Sequence, residues 1–354
     1  MQKPKALIAM SGGVDSSVAA YLTAQDGYCC IGGTMLLYDV GDVCGSSSSI
    51  SDARSVADRL GMPFHVFEMT EQFGKCVIDD FVSCYENGLT PNPCIRCNQH
   101  LKFSAFLEKA KELDCQCMVT GHYAQIRKDE KSGRFLLCKA ADAAKDQSYF
   151  LYAITQEQLA RIRFPLGELT KEQVRAIAQE QGFINAKKRD SQDICFVPDG
   201  DYFSFLRGHT GKEYAPGDFI DESGNKVGTH IGAAAYTLGQ RKGLGLAMGQ
   251  PVYVCSKDMR NNTVTVGSEK ALFHKELLAN DWFFFPFSTL TEPLEVEAKT
   301  RSRMTQQPAT VYPEANGYCR VVFHEPQRAI TPGQAVVLYN GDVVVGGGTI
   351  REVL

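Results

Sequence analysis

The chain has 354 residues, of which 44% are hydrophobic and 22% are charged. This composition is typical of folded globular protein, and the length allows two or three domains. The net charge of -4 argues against a surface coated with basic residues, although a local basic patch can still attract a polyanion. We expect a cytoplasmic protein with no membrane partner, because no apolar run approaches the roughly 18 residues of a span and the start is too short for a signal peptide.

The first third of the chain alternates short apolar runs with helical patterns. The pattern predicts strands over 6–10, 31–37, 63–69 and 115–120, and helices over 16–26, 52–60, 73–85 and 103–113. Such alternation indicates a doubly wound α/β domain with a parallel sheet. The Gly/Ser-rich segment 39–50 and the Pro-containing segment 87–98 are predicted to be loops over the sheet edge.

The rest of the chain changes character after one more helix. Thr170 and Gln173 have capping-box spacing and open a predicted helix that ends near Gln181, before Gly182. From residue 211 onward, Gly and Pro interrupt short β-rich stretches, which favours a small mixed middle domain and a C-terminal β-barrel. We predict domain limits of 1–205, 206–275 and 276–354.

The segment Ser11-Gly-Gly-Val-Asp-Ser-Ser17 lies between the first predicted strand and helix. Backbone N–H groups and the positive end of the helix dipole can meet a phosphate there, and two glycines allow close approach. Asp15 would hold a cation such as Mg²⁺ beside the phosphates. The loop lacks the Walker lysine and is similar to the signature of the ATP pyrophosphatase superfamily, whose members adenylate a substrate; a turn without a ligand is the weaker alternative.

Thirteen cysteines in a large chain without a secretory signal do not indicate a disulfide framework. Cys94 and Cys97 form a CxxC pair in the predicted loop, where Arg96, Lys102 and a helix N-terminus would lower a thiol pKa. Cys97 is the better-placed nucleophile, and Cys195 lies in a second predicted loop after a basic run. Structural zinc is disfavoured because no second CxxC or nearby CxxxH supplies four ligands.

The sequence indicates no catalytic role for the other ten cysteines. Nine lie among apolar neighbours, so burial is the expectation for Cys29, Cys30, Cys76, Cys84, Cys115, Cys117, Cys138, Cys255 and Cys319. Cys44 receives no assignment.

Six collinear motifs resemble those of the tRNA-specific 2-thiouridylase family, and the resemblance spans nearly the whole chain. They are segments 11–17, 92–98, 121–124, 145–151, 193–196 and 238–245, with 331–334 and 346–348 near the end. The resemblance implies an adenine nucleotide alpha hydrolase-like first domain. It also implies that ATP adenylates the 2-oxygen of a wobble uridine in tRNA, and that cysteine-bound sulfur then displaces AMP.

The resemblance also implies roles for individual residues. Cys97 matches the nucleophile and Cys195 the persulfide carrier, which a cysteine desulfurase or relay protein would load with sulfur. Matching ATP contacts are Ala9, Met10, Ser11, Gly12, Gly13, Val14, Asp15, Ser16, Met35 and Gly121. Matching contacts to the target base and tRNA are Asn92, Pro93, Cys94, His122, Lys145, Asp146, Gln147, Arg301, Ser302 and Gln334.

This sequence departs from the family pattern at two positions, because the family commonly has aspartate at position 94 and tyrosine at position 302. Loss of the tyrosine puts one tRNA contact in doubt. With Cys94 present, three thiols at Cys94, Cys97 and Cys195 match the ligand set of a 4Fe–4S cluster with one open iron. The cluster and the persulfide–disulfide schemes both remain open on the sequence.

Two other classes of protein compete with this interpretation. An amidating ATP pyrophosphatase would need an ammonia source, and no glutaminase-like segment is evident. A noncatalytic RNA-binding or iron–sulfur carrier protein would not need an intact phosphate loop. Only a thiouridylase is expected to release pyrophosphate in a tRNA-dependent way and to leave sulfur in the RNA.

Overall fold

The computed structural model describes residues 3–38, 47–188 and 194–354. In the described residues before position 200, the strands are β1 (Lys5–Ala9), β2 (Cys29–Leu36), β3 (Phe64–Glu68), β4 (Cys117–Val119), β5 (Gln125–Lys128), β6 (Phe135–Cys138) and β7 (Ile162–Arg163). Five of them form a parallel sheet in the order β3-β2-β1-β4-β7. The chain progresses from β1 to β2 and β3 on one side and to β4 and β7 on the other, so the direction of winding switches beside β1.

Helices cover both faces of this sheet. They are α1 (Val14–Gln25), α2 (Ser47–Arg59), α3 (Thr70–Phe73), α4 (Asp79–Glu86), α5 (Pro93–Arg96), α6 (Phe106–Glu112), α7 (Gln156–Leu159) and α8 (Lys171–Glu180), followed by α9 (Tyr202–Thr210). Side chains of β1 alternate between two cores: Leu7 packs with one set of helices, whereas Ala6 and Ile8 pack with the other. Burial of such an aliphatic side chain contributes about 1.5–3 kcal/mol, so both helical layers stabilise the central strand.

The predicted doubly wound sheet is confirmed, and the predicted elements were placed close to the observed ones. Helix α8 has the predicted capping box, in which the Thr170 side chain accepts from the Gln173 amide. Three predictions differ from the structure. Helix α2 begins at Ser47, inside the predicted loop 39–50, of which residues 39–46 lie outside the described part. A π-helical segment, Gly74–Ile78, interrupts the predicted helix over 73–85, and part of the predicted loop 87–98 is helical, because α5 begins at Pro93 and continues through the π-helical segment Cys97–Ala105 into α6.

The middle region contains a small four-stranded sheet. Its strands are β8 (Gly217–Ile220), β9 (Lys226–His230), β10 (Tyr253–Asp258) and β11 (Thr263–Gly267), in the order β10-β11-β8-β9. Phe219, Val254 and Val264 are fully buried and form its core. A mixed sheet with its own core matches the predicted small middle domain.

The last region forms a six-stranded antiparallel barrel, as predicted. Its strands are β12 (Phe273–Phe284), β13 (Leu294–Lys299), β14 (Gln307–Pro313), β15 (Cys319–Arg328), β16 (Ala335–Asn340) and β17 (Val343–Val353). Pairing of β12 with both β15 and β17 closes the ring. The hairpin of β5 and β6 from the first region extends this sheet through a pairing of Cys138 with Val343, so the barrel is fastened to the parallel-sheet region. The exact domain limits stay a prediction.

The described cysteines are all free thiols. Burial was correctly predicted for Cys30, Cys115, Cys117, Cys138 and Cys319, whereas Cys76, Cys84 and Cys255 are only half-buried. The expectation for Cys29 was wrong, because this residue is exposed at the N-terminal end of β2. Cys44 lies outside the described residues.

Within the described part of the chain, no helix has the length and apolar character needed to cross a membrane.

Candidate functional site

The phosphate loop follows β1 at the point where the sheet switches direction, which is where ligands commonly bind in open α/β sheets. Helix α1 begins at Val14, and no side chain caps its N-terminus at Gly13. The hydroxyl groups of Ser16 and Ser17 both donate to the Gly13 carbonyl at 3.0 Å. The turn is thus held by its own serines, and the first N–H groups of the helix, which have no intrahelical partner, face the loop.

Two glycines are required for packing around this loop. Gly12 has φ +73°, and a Cβ there would lie 2.3 Å from the Ser49 carbonyl oxygen. A Cβ at Gly121 would lie 2.7 Å from the Asp15 carbonyl carbon and 2.8 Å from the Ser16 nitrogen. Close contact with neighbouring backbone therefore accounts for both glycines.

Asp15 is held by two residues that the sequence analysis did not find. The Lys171 ammonium donates to both carboxylate oxygens at 2.7 and 2.9 Å, and the Tyr123 hydroxyl donates to one of them at 2.9 Å. Lys171 opens helix α8, and its side chain is about one-tenth exposed. The carboxylate predicted to hold Mg²⁺ is thus engaged by a lysine in this structure.

Asn185 is a second unpredicted neighbour of the loop. Its amide nitrogen donates to the Gly12 carbonyl at 3.1 Å and to the Ser17 hydroxyl at 2.9 Å. Asn185 is buried, and its side-chain oxygen has no hydrogen-bond partner among the described residues. The Asn185 side chain therefore connects the phosphate loop to the segment that follows α8.

The remaining predicted ATP contacts differ in accessibility. Met10, Val14 and Met35 are buried in the core, so their side chains are almost inaccessible in this structure. The Met10 carbonyl already accepts from the Thr34 hydroxyl at 2.5 Å. Ala9 ends β1 and is half-buried, while Ser11 is exposed at the sheet edge.

A cavity of about 1380 Å³ opens at the same edge of the sheet. Leu37 follows β2 and His122 follows β4, and both line it. The other walls come from the helix around Cys97, the turn 139–147, the segment 194–196 and the barrel residues 299 and 302–306. The cavity thus lies between the parallel-sheet region and the barrel.

The three candidate thiols all line this cavity. Cys94 and Cys97 lie three residues apart on the helix that begins at Pro93, rather than in a loop. Cys97 is buried and Cys94 is exposed to the open cavity. The predicted lowering of the thiol pKa is wrong for Cys94, because surrounding protein desolvates the group and raises its pKa while Lys102 acts in the opposite direction.

Cys195 approaches the cavity from a different segment. It is half-buried, and the next residue, Phe196, is packed edge-on against Phe73 at 5.7 Å and against Phe81 at 5.1 Å between ring centroids. These aromatic contacts fix the segment to α3 and α4. The residues that directly precede it, 189–193, lie outside the described part.

The thiols were also predicted as ligands of a 4Fe–4S cluster. Across residues 3–38, 47–188 and 194–354, no group of three or more His, Cys, Asp or Glu side chains is close enough to hold a metal ion. Cys94, Cys97 and Cys195 share one cavity but do not form a ligand set in this conformation. The 4Fe–4S cluster therefore stays a prediction, and the arrangement of the three thiols in this structure does not add support to it.

Most of the predicted tRNA contacts also line the cavity. These are Asn92, Pro93, Cys94, His122, Lys145, Asp146, Gln147 and Ser302. Some have structural partners: Asp146 accepts from the amides of Ala140 and Ser148, and the Gln147 side chain accepts from the Tyr123 amide at 2.9 Å.

Two predicted tRNA residues, Arg301 and Gln334, are not among the lining residues found in the described chain. The Arg301 guanidinium donates to the Leu238 and Ala329 carbonyls and to the Thr331 hydroxyl. It therefore joins the middle region to the barrel. Gln334 donates to the carbonyls of Thr90 and Pro91, and so positions the segment that leads to Asn92.

His122 is an uncharged member of the cavity wall. Its Nδ1 lies 2.7 Å from the Thr120 hydroxyl, and its ring packs near Phe103 and Phe164. Burial holds its pKa well below the usual value, and the nearby Lys102 lowers it further. Because a neutral imidazole carries no charge for phosphate, His122 can offer only ring packing or one hydrogen bond.

The charge of the cavity differs from that of the whole chain. Its lining in the described residues includes five basic side chains and two acidic ones: Lys102, Lys139, Lys145, Lys299, Arg303, Asp146 and Asp342. The whole chain has a net charge of -4. The basic groups are thus concentrated where the thiols lie, which favours an anionic ligand there.

Comparison with protein families gives three matches in chain order. The description "tRNA methyl transferase HUP domain" matches residues 4–199, "tRNA methyl transferase PRC-barrel domain" matches 204–268, and "Aminomethyltransferase beta-barrel domain" matches 274–350. These ranges correspond to the sheet region, the middle region and the barrel.

Two curated relatives match over nearly their full lengths. The tRNA-specific 2-thiouridylase MnmA of Clostridioides difficile is 49% identical over 99% of this chain and 99% of the relative. The protein of the same name from Acetivibrio thermocellus is 49% identical over 99% of this chain and 100% of the relative.

A solved 4-thiouridine synthetase–RNA complex with bound ATP is 17% identical, with a TM-score of 0.36, covering 59% of this chain and 50% of that chain. This likeness is too weak to bear on function. The full-length relatives and the three collinear domain matches decide the assignment: the chain belongs to the tRNA-specific 2-thiouridylase family.

Proposed function

We propose that the protein uses ATP to adenylate the 2-oxygen of the wobble uridine in tRNA and then replaces that oxygen with sulfur carried on cysteine. The products are 2-thiouridine, AMP and pyrophosphate. The observation that supports this most is that Cys94, Cys97 and Cys195 line one basic cavity at the edge of the sheet where the phosphate loop lies. Family membership supplies the substrate class.

ATP is proposed to bind with its phosphates at the loop 11–17. The N-terminus of α1 offers N–H donors and a positive dipole end to an anion. Adenylation is chemically necessary because a carbonyl oxygen of a base is a poor leaving group, whereas AMP departs readily. Mg²⁺ stays a prediction, and its binding at Asp15 would require the carboxylate to leave Lys171.

The target uridine is proposed to leave the anticodon stack and enter the cavity. Flipping a base costs a few kcal/mol, and the basic cavity wall would offset this cost through contacts with the RNA backbone. Asn92, Pro93 and Cys94 line the cavity beside the thiols, which supports a role for them in contacting the flipped base.

Sulfur transfer is proposed to begin with a persulfide on Cys195, supplied by a cysteine desulfurase or a relay protein. The terminal sulfur attacks C2 of the adenylated uridine, and the C2–O bond breaks as AMP leaves with the oxygen. The Cys97 thiolate then attacks the sulfur still bonded to Cys195, which leaves one sulfur on the base and forms a Cys97–Cys195 disulfide. A thiol reductant from outside the protein returns the disulfide to two thiols. The scheme needs ATP, tRNA and a thiol reductant in one compartment, and we propose that this compartment is the cytoplasm.

The adenylation half of the proposal is tested by measuring pyrophosphate released from ATP with three RNAs. A tRNA with a wobble uridine should stimulate release, whereas the same tRNA with a wobble cytidine and a buffer without RNA should not. Release that is independent of RNA, or that requires an amine acceptor, would instead favour an amidating pyrophosphatase.

A further inference from the structure

Two lysines on the barrel side of the cavity are held around one aromatic ring. The Lys139 ammonium lies 5.1 Å and the Lys299 ammonium 5.6 Å from the ring centroid of Tyr339. Tyr339 is fully buried in β16, Lys299 ends β13, and Lys139 follows β6. Both lysines line the cavity. Neither residue belongs to the set matched to the family motifs.

The surroundings leave the two charges only partly compensated. Asp146 is the acidic side chain whose charge acts on Lys299. Its carboxylate already accepts hydrogen bonds from two backbone amides and from the Ser148 hydroxyl. Burial lowers the pKa of Lys299, the charge of Asp146 opposes that change, and the positive charge of Lys139 adds to it. Two like charges that disfavour each other are stabilised when an anion binds between them.

The neutral side chain of Gln306 lies beside Lys139 and offers a further hydrogen-bond donor. Lys139 donates to the side-chain oxygen of Gln306 at 2.8 Å, which orients the lysine. The amide nitrogen of Gln306 is buried and has no acceptor in the described chain. Arg303, exposed on the same wall, adds a third positive charge, and Asp342 adds one negative charge.

We propose that Lys139 and Lys299 form a phosphate-binding subsite for the RNA backbone next to the flipped nucleotide. This inference rests on the proposed function and names the part of the protein that holds the strand. The subsite lies on the barrel wall, and the loop proposed for ATP lies at the N-terminus of α1. A backbone phosphate gripped there would keep the nucleotide in the cavity while its base meets the thiols.

The test uses binding of full-length tRNA to the intact protein at several salt concentrations. The variants are Lys139→Met, Lys299→Met and the double variant, because methionine keeps an unbranched apolar stem against Tyr339 and removes the charge. Lys275→Met, at an exposed position on β12, is the matched control. Melting temperatures verify folding, and ATP binding is measured in parallel.

Each single variant should weaken tRNA binding and reduce the slope of log K against log salt by about 0.7–0.9, and the double variant should reduce it by about twice as much. ATP affinity should be unchanged in all three. Lys275→Met should leave the slope as in wild type. Slopes equal to that of the control would overturn the inference, and so would a loss of ATP affinity with unchanged RNA binding, which would assign the lysines to nucleotide phosphates. Wild-type protein that fails to bind tRNA would contradict the proposed function itself.

Discussion

Lys171 supplies a positive charge beside the phosphate loop, although the loop itself has no lysine. Its ammonium contacts both oxygens of Asp15, and its side chain is only about one-tenth exposed. A cation held this close to the start of α1 neutralises Asp15, which would otherwise repel phosphate. The ion pair therefore makes the loop compatible with an anionic ligand.

Replacing Lys171 with methionine should lower the free energy of unfolding by about 2 kcal/mol, because the Asp15 carboxylate loses its charged partner in a partly buried site. Chemical denaturation measures the change. The double variant Asp15→Asn/Lys171→Met should recover part of the loss. Lys188→Met removes the more exposed ion pair with Asp52 and should cost less than about 1 kcal/mol; an equal cost for both single variants would contradict the account.

Gly121→Ala should destabilise the protein by about 1–3 kcal/mol, because the new methyl group meets the backbone of Asp15 and Ser16. ATP binding should weaken as the loop is displaced. Gly208→Ala in α9, where nothing lies within 4 Å of the added methyl, should instead stabilise by about 0.5–1 kcal/mol. Denaturation curves of the two variants should therefore move in opposite directions. A shift of both curves to lower stability would show that backbone contact at Gly121 is not the cause.

At the scale of residues, the sequence predicts local chemistry better than tertiary partners. The phosphate loop and the thiols at Cys97 and Cys195 are recognisable because each lies in a contiguous motif. Lys171 and Asn185 approach the loop from more than 150 residues away, and neither has a local signature. Only the folded sheet brings them beside Asp15 and Gly12.

The helix that begins at Pro93 determines how two thiols are presented. Proline is favoured at the first helical position because it has no N–H to satisfy and its φ suits a helix. The two prolines in the segment 87–98 instead predicted a loop, so Cys94 and Cys97 were expected in that loop. Helical spacing fixes the separation of the two residues, and the π-helical segment that follows is a feature often found at functional sites.

Gln334 links the barrel to this helix through the carbonyls of Thr90 and Pro91. Gln334→Ala should lower the free energy of unfolding by about 1–2 kcal/mol and speed hydrogen exchange in the segment 88–92. The rate of tRNA thiolation should fall because Asn92 and Cys94 are less firmly placed. Gln327→Ala removes a hydrogen bond within its own strand, to Glu325, and should leave exchange at 88–92 unchanged. Equal exchange in the two variants would argue against a positioning role for Gln334.

The whole molecule is organised around contacts between its three regions. The hairpin of β5 and β6 joins the barrel sheet, and Arg301 connects the barrel with the middle region. These contacts make the large cavity a property of the assembled chain rather than of one domain. A sequence can indicate three domains through changes in periodicity, but the faces that they share depend on packing between distant segments.

Arg301→Met should uncouple the middle region from the barrel, because it removes the hydrogen bond to the Leu238 carbonyl that joins the two regions and leaves that carbonyl without this donor. The two other hydrogen bonds that it removes lie within the barrel region. Thermal unfolding should become broader or split into two transitions, and limited proteolysis near residues 204–268 should accelerate. Arg320→Met removes ion pairs that lie within the barrel, with Glu276 and Glu314, and should retain a single transition. If Arg301→Met also unfolds in one transition at the wild-type temperature, the proposed link between regions is wrong.

The proposed sulfur transfer runs through Cys195 and Cys97 to a uridine in tRNA. The most direct measurement is mass spectrometry of nucleosides from tRNA incubated with ATP, a persulfide donor and wild-type, Cys97→Ser, Cys195→Ser or Cys255→Ser protein. We expect 2-thiouridine from wild type and from Cys255→Ser, whose thiol lies in the middle region. Cys97→Ser and Cys195→Ser should yield none, while both retain tRNA-dependent pyrophosphate release. Full thiolation by either of these two variants would contradict the account.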